Sequence, residues 1–238
     1  MTISWSDIAS LATAAGTLVL AVATFGSVKS ANRAARAAER SLLAGLRPVL
    51  IPSREDDLVE RVRFGDGYVS VVSGHGGSAA EKNERLYLAL SLRNGGAGLA
   101  VLHAWRVDVR ERTDSVPPPL EEFRRQQRDI YIPAADVGFW QGAIRDRSDG
   151  SYERVRDAIR VGDRLMIDLM YGDHEGGQRT IARFALSRVH HEGADENEHG
   201  AVSVGGAAAG GGAAADNGGP AYRAEVVRYW NVDEADPR

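Results

Sequence analysis

Between Ile8 and Val28 the chain runs for 21 residues without a charge, reading IASLATAAGTLVLAVATFGSV. A helix of that length rises roughly 31 Å at ~1.5 Å per residue, enough to cross a bilayer's hydrocarbon core. Alanine, threonine and glycine dilute its apolar character, so a buried helix of a soluble protein is the alternative. From Lys29 to Leu46 the chain is rich in alanine and lacks proline, which continues the helix without a break. Arg47-Pro48 ends it, because the residue before a proline is pushed out of the α region. The pattern predicts one helix of about 40 residues from around Ser6 to Leu46.

After Pro48 the hydrophobic period drops to two. In Arg85–Arg93, Leu86, Leu88, Leu90 and Leu92 share one face, with Tyr87, Ala89, Ser91 and Arg93 on the other. Leu99–Arg110 alternates as well, placing Leu99, Val101, His103, Trp105, Val107 and Val109 together. Asp163–Gly172 and Gln178–His190 flank a short polar connection and predict a hairpin. Weaker strands are expected at Pro48–Ser53, Leu58–Phe64, Tyr68–Ser73, Asp129–Ile132 and Tyr222–Val232. His75-Gly76-Gly77-Ser78 reads as a flexible loop. Between Trp105 and Asp163 the pattern loosens, with Pro117–Arg128 as a connector containing a helical turn and Ser151–Arg160 as a short helix. Residues 193–220 form a Gly/Ala tract with almost nothing to bury, expected to be a disordered insertion between two strands that still pair. Residues 233–238 are expected to fray.

These elements predict a mainly β protein with a long N-terminal helix. The helix would span the membrane and extend into the cytoplasm, followed by an immunoglobulin-like antiparallel β-sandwich. A closed barrel is the alternative. The division would be 1–28 transmembrane segment, 29–47 Ala/Arg-rich stalk, 48–192 with 221–232 β-domain, 193–220 insertion and 233–238 tail.

Charge orients the helix. Asp7 is the only charged side chain before the apolar run, while Lys29, Arg33, Arg36, Arg40 and Arg47 follow it with Glu39 the only acid. The positive-inside rule then puts the N-terminus outside and the β-domain in the cytoplasm, in a single-pass cell-membrane protein. A signal peptide would need a basic start, which Met1–Asp7 lacks. Trp5 sits where an interfacial anchor belongs.

The helix is also sided. Its basic residues fall within roughly 60° of one another at ~100° per residue. Ser10, Thr13, Thr17, Thr24 and Ala31 lie on the opposite face, continued by Ser27, Ala34, Ala38, Ser41 and Gly45. Small and hydroxyl residues permit close helix approach in lipid, so this face is a candidate homodimer seam. Alternatively the hydroxyls simply bond to carbonyls of the preceding turn. Lys29 and Arg33 are candidate lipid-headgroup contacts, although a pure topology signal explains them as well.

Composition narrows the chemistry. Net charge is −4, which offers no global attraction to nucleic acid, and no nucleic-acid partner is expected. There is no cysteine, which removes disulfides, thiol catalysis and cysteine metal sites. Only Lys29 and Lys82 are lysines, so arginine is the default basic residue here and carries no special meaning. Asp168 lies between apolar neighbours on a strand face shared with Met166 and Met170. It reads as a perturbed acid or, more simply, as the partner of an arginine on the next strand. Asp173, His174 and Glu175 with His190 could converge on a metal, but solvated turn residues are the plainer reading. No Gly-x-Ser-x-Gly elbow, Walker loop or HExxH occurs. No catalytic residue, cofactor or metal site is assigned.

A transmembrane helix, an Ala/Arg-rich helix, Arg47-Pro48, a leucine-alternating strand ending in Asn94-Gly95-Gly96-Ala97-Gly98, and Tyr171-Gly172-Asp173 before a glycine turn occur in that order. Over roughly Trp5–Val189 this arrangement resembles uncharacterised single-pass bacterial, actinobacterial-type membrane proteins with a β-sandwich domain. The resemblance implies architecture and no activity. The glycines suit a sharp turn with positive φ; apolar alternation follows them where a phosphate loop would need a helix. The leading expectation is a membrane-tethered, non-enzymatic interaction or scaffold module with an unknown cytoplasmic protein partner. The alternative is a membrane-anchored hydrolase or metal-dependent enzyme using acids around 168–175.

Overall fold

The computed structural model describes residues 5–109, 116–175, 178–189 and 221–233. The expected insertion at 193–220 and the tail beyond Asp233 lie outside them. The chain divides into two compact units, Met1–Leu46 and Arg47–Arg238.

The first unit is one helix, α1, Trp5–Gly45, 41 residues long. Its stretch Ala9–Glu39 is long and apolar enough to cross a membrane. Leu18 and Phe25 lie open, 66% and 72% exposed. A soluble core helix would bury such residues.

Among the described residues the second unit is antiparallel β structure with one short α-helix and a single 3-10 turn, Leu120–Glu122. Its strands are β1 (Leu50–Pro52), β2 (Glu60–Arg63), β3 (Val69–Val72), β4 (Gly76–Lys82), β5 (Arg85–Asn94) and β6 (Ala100–Asp108). There follow β7 (Arg124–Arg125), β8 (Tyr131–Ile132), β9 (Val137–Ile144), α2 (Tyr152–Val161), β10 (Leu165–Gly172), β11 (Thr180–Arg188) and β12 (Ala221–Asn231). Ten strands form one sheet along the path β1-β5-β4-β12-β11-β10-β6-β7, with β9 on β5 and β8 on β6. The path curls on itself, because Trp105 of β6 and Trp140 of β9 meet edge-to-face at 5.3 Å. β11 and β12 pair from Thr180↔Asn231 to Arg188↔Tyr222, across the 190–220 stretch of sequence.

Inside the curl lie Leu86, Leu88, Leu90 and Leu92 of β5, with Trp140, Ile167, Leu169, Phe184 and the apolar side of α2. Each fully buried leucine contributes roughly 1.5–3 kcal/mol. The other face of β5 is covered too: β2 and β3 form a separate hairpin whose Val62 and Val72, with Phe64, pack on Tyr87 and Ala89.

Four local expectations need correction. Gly76–Lys82 is strand β4, not a flexible loop, and pairs with both β5 and β12. Its glycine has a packing reason, since a Cβ on Gly77 would lie 2.4 Å from a methyl of Leu186. β9 arises where no strand was expected, its alternation masked by Gly138 and Gly142. β6 changes face midway. Tyr171 pairs with Leu102 and Met170 with Ala104, so His103 is a bulged extra residue. Ala100 and Leu102 therefore join Trp105 and Val107 in the core, in place of Val101 and His103.

The fourth concerns Asn94-Gly95-Gly96. Neither glycine adopts positive φ. Gly96 is required by closeness, because a Cβ there would sit 2.2 Å from the Arg47 carbonyl oxygen. Asn94 itself is fully buried. Its Oδ1 accepts from the amides of Val49 (3.2 Å) and Gly96 (3.0 Å), and its Nδ2 donates to the carbonyls of Gly98 (2.7 Å) and Ile132 (3.0 Å). The motif is a structural clasp joining the start of β1, the end of β5 and β8.

Candidate functional site

Asp168 occupies the middle of β10, where the register places it opposite Arg183 on β11 and Arg106 on β6. The carboxylate is fully buried. Arg183 donates to it through Nε (2.6 Å) and Nη2 (2.9 Å), and Arg106 through Nη1 (2.8 Å). Arg106 spends its other nitrogens on Glu122 (2.7 Å) and Asp108 (2.6 Å). Against the opposing effect of burial, Asp168 first, and then Asp108 and Glu122, hold its guanidinium above the ordinary arginine value. The Arg183 guanidinium also stacks on Trp230, 4.9 Å from the ring centroid. Of the two readings of Asp168, the cross-strand arginine partner is the one the geometry matches. A sealed carboxylate with its oxygens so engaged cannot reach a substrate.

The hairpin turn after β10 is dispersed. Asp173 is buried while His174 and Glu175 are exposed, 65% and 69% at their side chains, and only 3.9 Å links those two. His190, the fourth expected member, lies outside the described residues. Among the described residues, no group of three or more His, Asp or Glu side chains is placed to hold a metal ion. The notable histidine is instead His103 at the bulge. Its Nε2 is buried without a hydrogen-bond partner among the described residues, and its pKa is lowered by burial and by Arg179, against an opposing pull from Asp173.

A concave feature lies elsewhere. A groove of about 530 Å³ is lined by Arg63, Arg124, Arg125, Arg128 and Arg145, with no acid among its lining residues. It opens where the two ends of the curled sheet meet. β7 pairs along β6, Trp105↔Arg124, and the chain then crosses toward β9. Gln126 fixes the crossing: its Nε2 donates to the Gln141 carbonyl (3.0 Å) and its Oε1 accepts from Trp140 Nε1 (3.2 Å). The turn between β2 and β3 supplies Arg63, Gly65 and Gly67. Trp105 and Phe64 form apolar floor and are almost entirely covered, 4% and 3% exposed.

The five arginines are not equivalent. Arg124 is bound by Asp149 and Ser151 and lies over the Trp105 ring at 5.1 Å. Its guanidinium, with hydrogen bonds from Ser151, holds Asp149 below the ordinary carboxylate value although burial opposes this. Arg145 reaches Gln127 at 3.0 Å and Asp66 at 3.4 Å. The side chains of Arg63, Arg125 and Arg128 make no hydrogen bond or ion pair among the described residues. Sequence reasoning missed this groove; its one local signal was the Arg124–Arg128 run, lost among many arginines.

On α1, the candidate association residues Thr13, Thr17 and Thr24 donate to the carbonyls of Ala9 (2.9 Å), Thr13 (2.8 Å) and Leu20 (2.7 Å). Ser27 does the same to Ala23. Their hydroxyl protons are thus satisfied within the helix, while the small side chains with Ser10 and Ala31 stay exposed. Lys29 and Arg33 are exposed on the turns just after the uncharged run.

No family model matches the chain, and no curated protein or solved structure matches it either.

Proposed function

We propose that this chain is a single-pass membrane protein whose β-domain serves as a non-enzymatic interaction or scaffold module. The observation that carries the reading is α1. A 41-residue helix carries an uncharged, exposed run from Ala9 to Val28 and continues unbroken into a basic segment. An exposed apolar helix of that length is stable in lipid and costly in water. The charge asymmetry around it favours a cytoplasmic β-domain. The groove supports a binding role, while the enclosure of Asp168 by arginines speaks against acid–base chemistry there. Kinship with actinobacterial-type single-pass proteins belongs to the same proposal.

Carbonate extraction of membranes and a pair of C-terminal reporter fusions test it. The protein should stay in the pellet, with a fluorescent C-terminal fusion and an inactive phosphatase fusion. Recovery of a chain cleaved after Val28, or an active phosphatase, would overturn the tether or its orientation. We further propose a homodimer seam through Ser10, Thr13, Thr17, Thr24 and Ala31. Thr17→Leu with Thr24→Leu should weaken helix association in membranes; unchanged association would remove the seam.

A further inference from the structure

We propose that the arginine groove binds a ligand carrying at least two neighbouring phosphate groups. This deepens the interaction-module reading and rests on it. The first support is charge. A chain of net charge −4 gathers five arginines around one concavity and lines it with no carboxylate. Elsewhere in the β-domain several guanidiniums are spent on acids, as with Arg106, Arg93 on Asp57 and Arg179 on Asp233. Arg63, Arg125 and Arg128 line the same groove without such partners among the described residues. Their shared positive charge attracts anionic oxygens into the space they border.

The second support is the type and number of donors. Guanidinium presents a planar fork that matches phosphate oxygens two at a time. Three unspent arginines, with Arg145 beside them, can be shared between neighbouring phosphates. The groove, about 530 Å³, has room for a chain of phosphates. Nucleobases are poorly served, because Trp105 and Phe64 are covered and leave no open ring face for stacking. The same phosphate chemistry could come from a soluble polyphosphate ester or from a lipid headgroup.

The test uses the full chain in neutral detergent micelles at physiological salt, titrated with sodium tripolyphosphate in a calorimeter. Wild type should bind, and Arg125→Ala with Arg128→Ala should bind roughly tenfold more weakly or worse. Both side chains are exposed and make no hydrogen bond or ion pair among the described residues, so an unchanged melting temperature checks the variant's fold. Mixed micelles containing phosphatidic acid then separate the sources. Displacement of tripolyphosphate from wild type assigns the phosphates to a headgroup, and its absence assigns them to a soluble ligand. Equal affinity in the variant, no binding of tripolyphosphate, citrate binding as tightly, or single-stranded RNA binding that tripolyphosphate does not displace would each overturn the proposal. Carbonate extraction reads the membrane tether separately, so loss of phosphate binding and loss of the tether are distinct results.

Discussion

Replacing Asp168 with leucine removes the one acid that meets both buried arginines at the middle of β10. In the native protein it accepts three hydrogen bonds, two from Arg183 and one from Arg106, in full burial. Leucine fills similar space, so packing is nearly kept and the electrostatic consequence dominates. Arg106 retains Asp108 and Glu122. Arg183, whose side chain is 5% exposed, loses the carboxylate that takes its Nε and Nη2. Breaking one side of such a buried pair costs about 3–5 kcal/mol, because the remaining charge stays desolvated. That is a large part of a domain stability of about 5–15 kcal/mol.

Urea unfolding followed by tryptophan fluorescence measures the loss. With a slope of about 2 kcal/mol per molar urea, the midpoint should fall by roughly 2 M. Arg183→Met should cost less than Asp168→Leu, since Asp168 then keeps Arg106. Adding Arg183→Met to Asp168→Leu should recover part of the loss, giving a coupling of about 1–3 kcal/mol. As a control, Arg147→Ala removes an exposed pair with Glu84, 55% and 69% accessible, and should change stability by less than about 1 kcal/mol. A cost below about 1 kcal/mol for Asp168→Leu would refute the reasoning, as would strict additivity in the double variant.

Two further outcomes follow from other buried groups. Asn94→Ala leaves the amides of Val49 and Gly96 and the carbonyls of Gly98 and Ile132 without their side-chain partner; it should cost about 2–5 kcal/mol, and a urea midpoint within error of wild type would contradict the clasp. Burial lowers the His103 pKa in the folded protein, so its stability contribution is complete above the unfolded value of about 6.5 and declines as pH falls through that value toward the folded one; midpoints at pH ~7.5 and ~5.5 should therefore differ less in His103→Gln than in wild type, and an identical dependence would remove His103 as the cause.

The helix and most strands were legible because their periods are strict. Leu86 to Leu92 alternate without a break, and no proline interrupts Trp5–Gly45. β4 and β9 were not legible because their glycines carry no hydrophobic signal. Both strands also lie against other strands with neighbours on their faces, so polar alternation is absent. In β6 the alternation was real but its phase was not constant, since one bulged residue at His103 exchanges the faces. Asp168 was legible as a problem: an acid between Ile167 and Leu169 needs compensation wherever it folds. Which arginines supply it depends on strand register, and the sequence around Asp168 does not contain that. The groove draws on residues 63–65, 67, 105, 124–128, 141–143 and 145, which only the closing of the sheet brings together.

The pairing state of the arginines, more than their number, then separates the two charged regions. Around Asp168 the guanidiniums are matched by carboxylates, so any deletion there unbalances the interior. Around the groove Arg63, Arg125 and Arg128 are unmatched among the described residues, so deleting one of them strands no acid and relieves repulsion. Arg125→Ala should therefore leave stability unchanged or raise it slightly, opposite in sign to Asp168→Leu. An anionic ligand should act in the same direction and further, because it supplies the missing charge without removing the donors. By linkage, a ligand at about a hundred times its Kd adds roughly 2.7 kcal/mol to the folded state. Thermal unfolding with tripolyphosphate present should show that gain in wild type and lose most of it in Arg125→Ala with Arg128→Ala. An equal gain in both would mean that the anion acts on the protein generally and that the groove is only an arginine-rich surface.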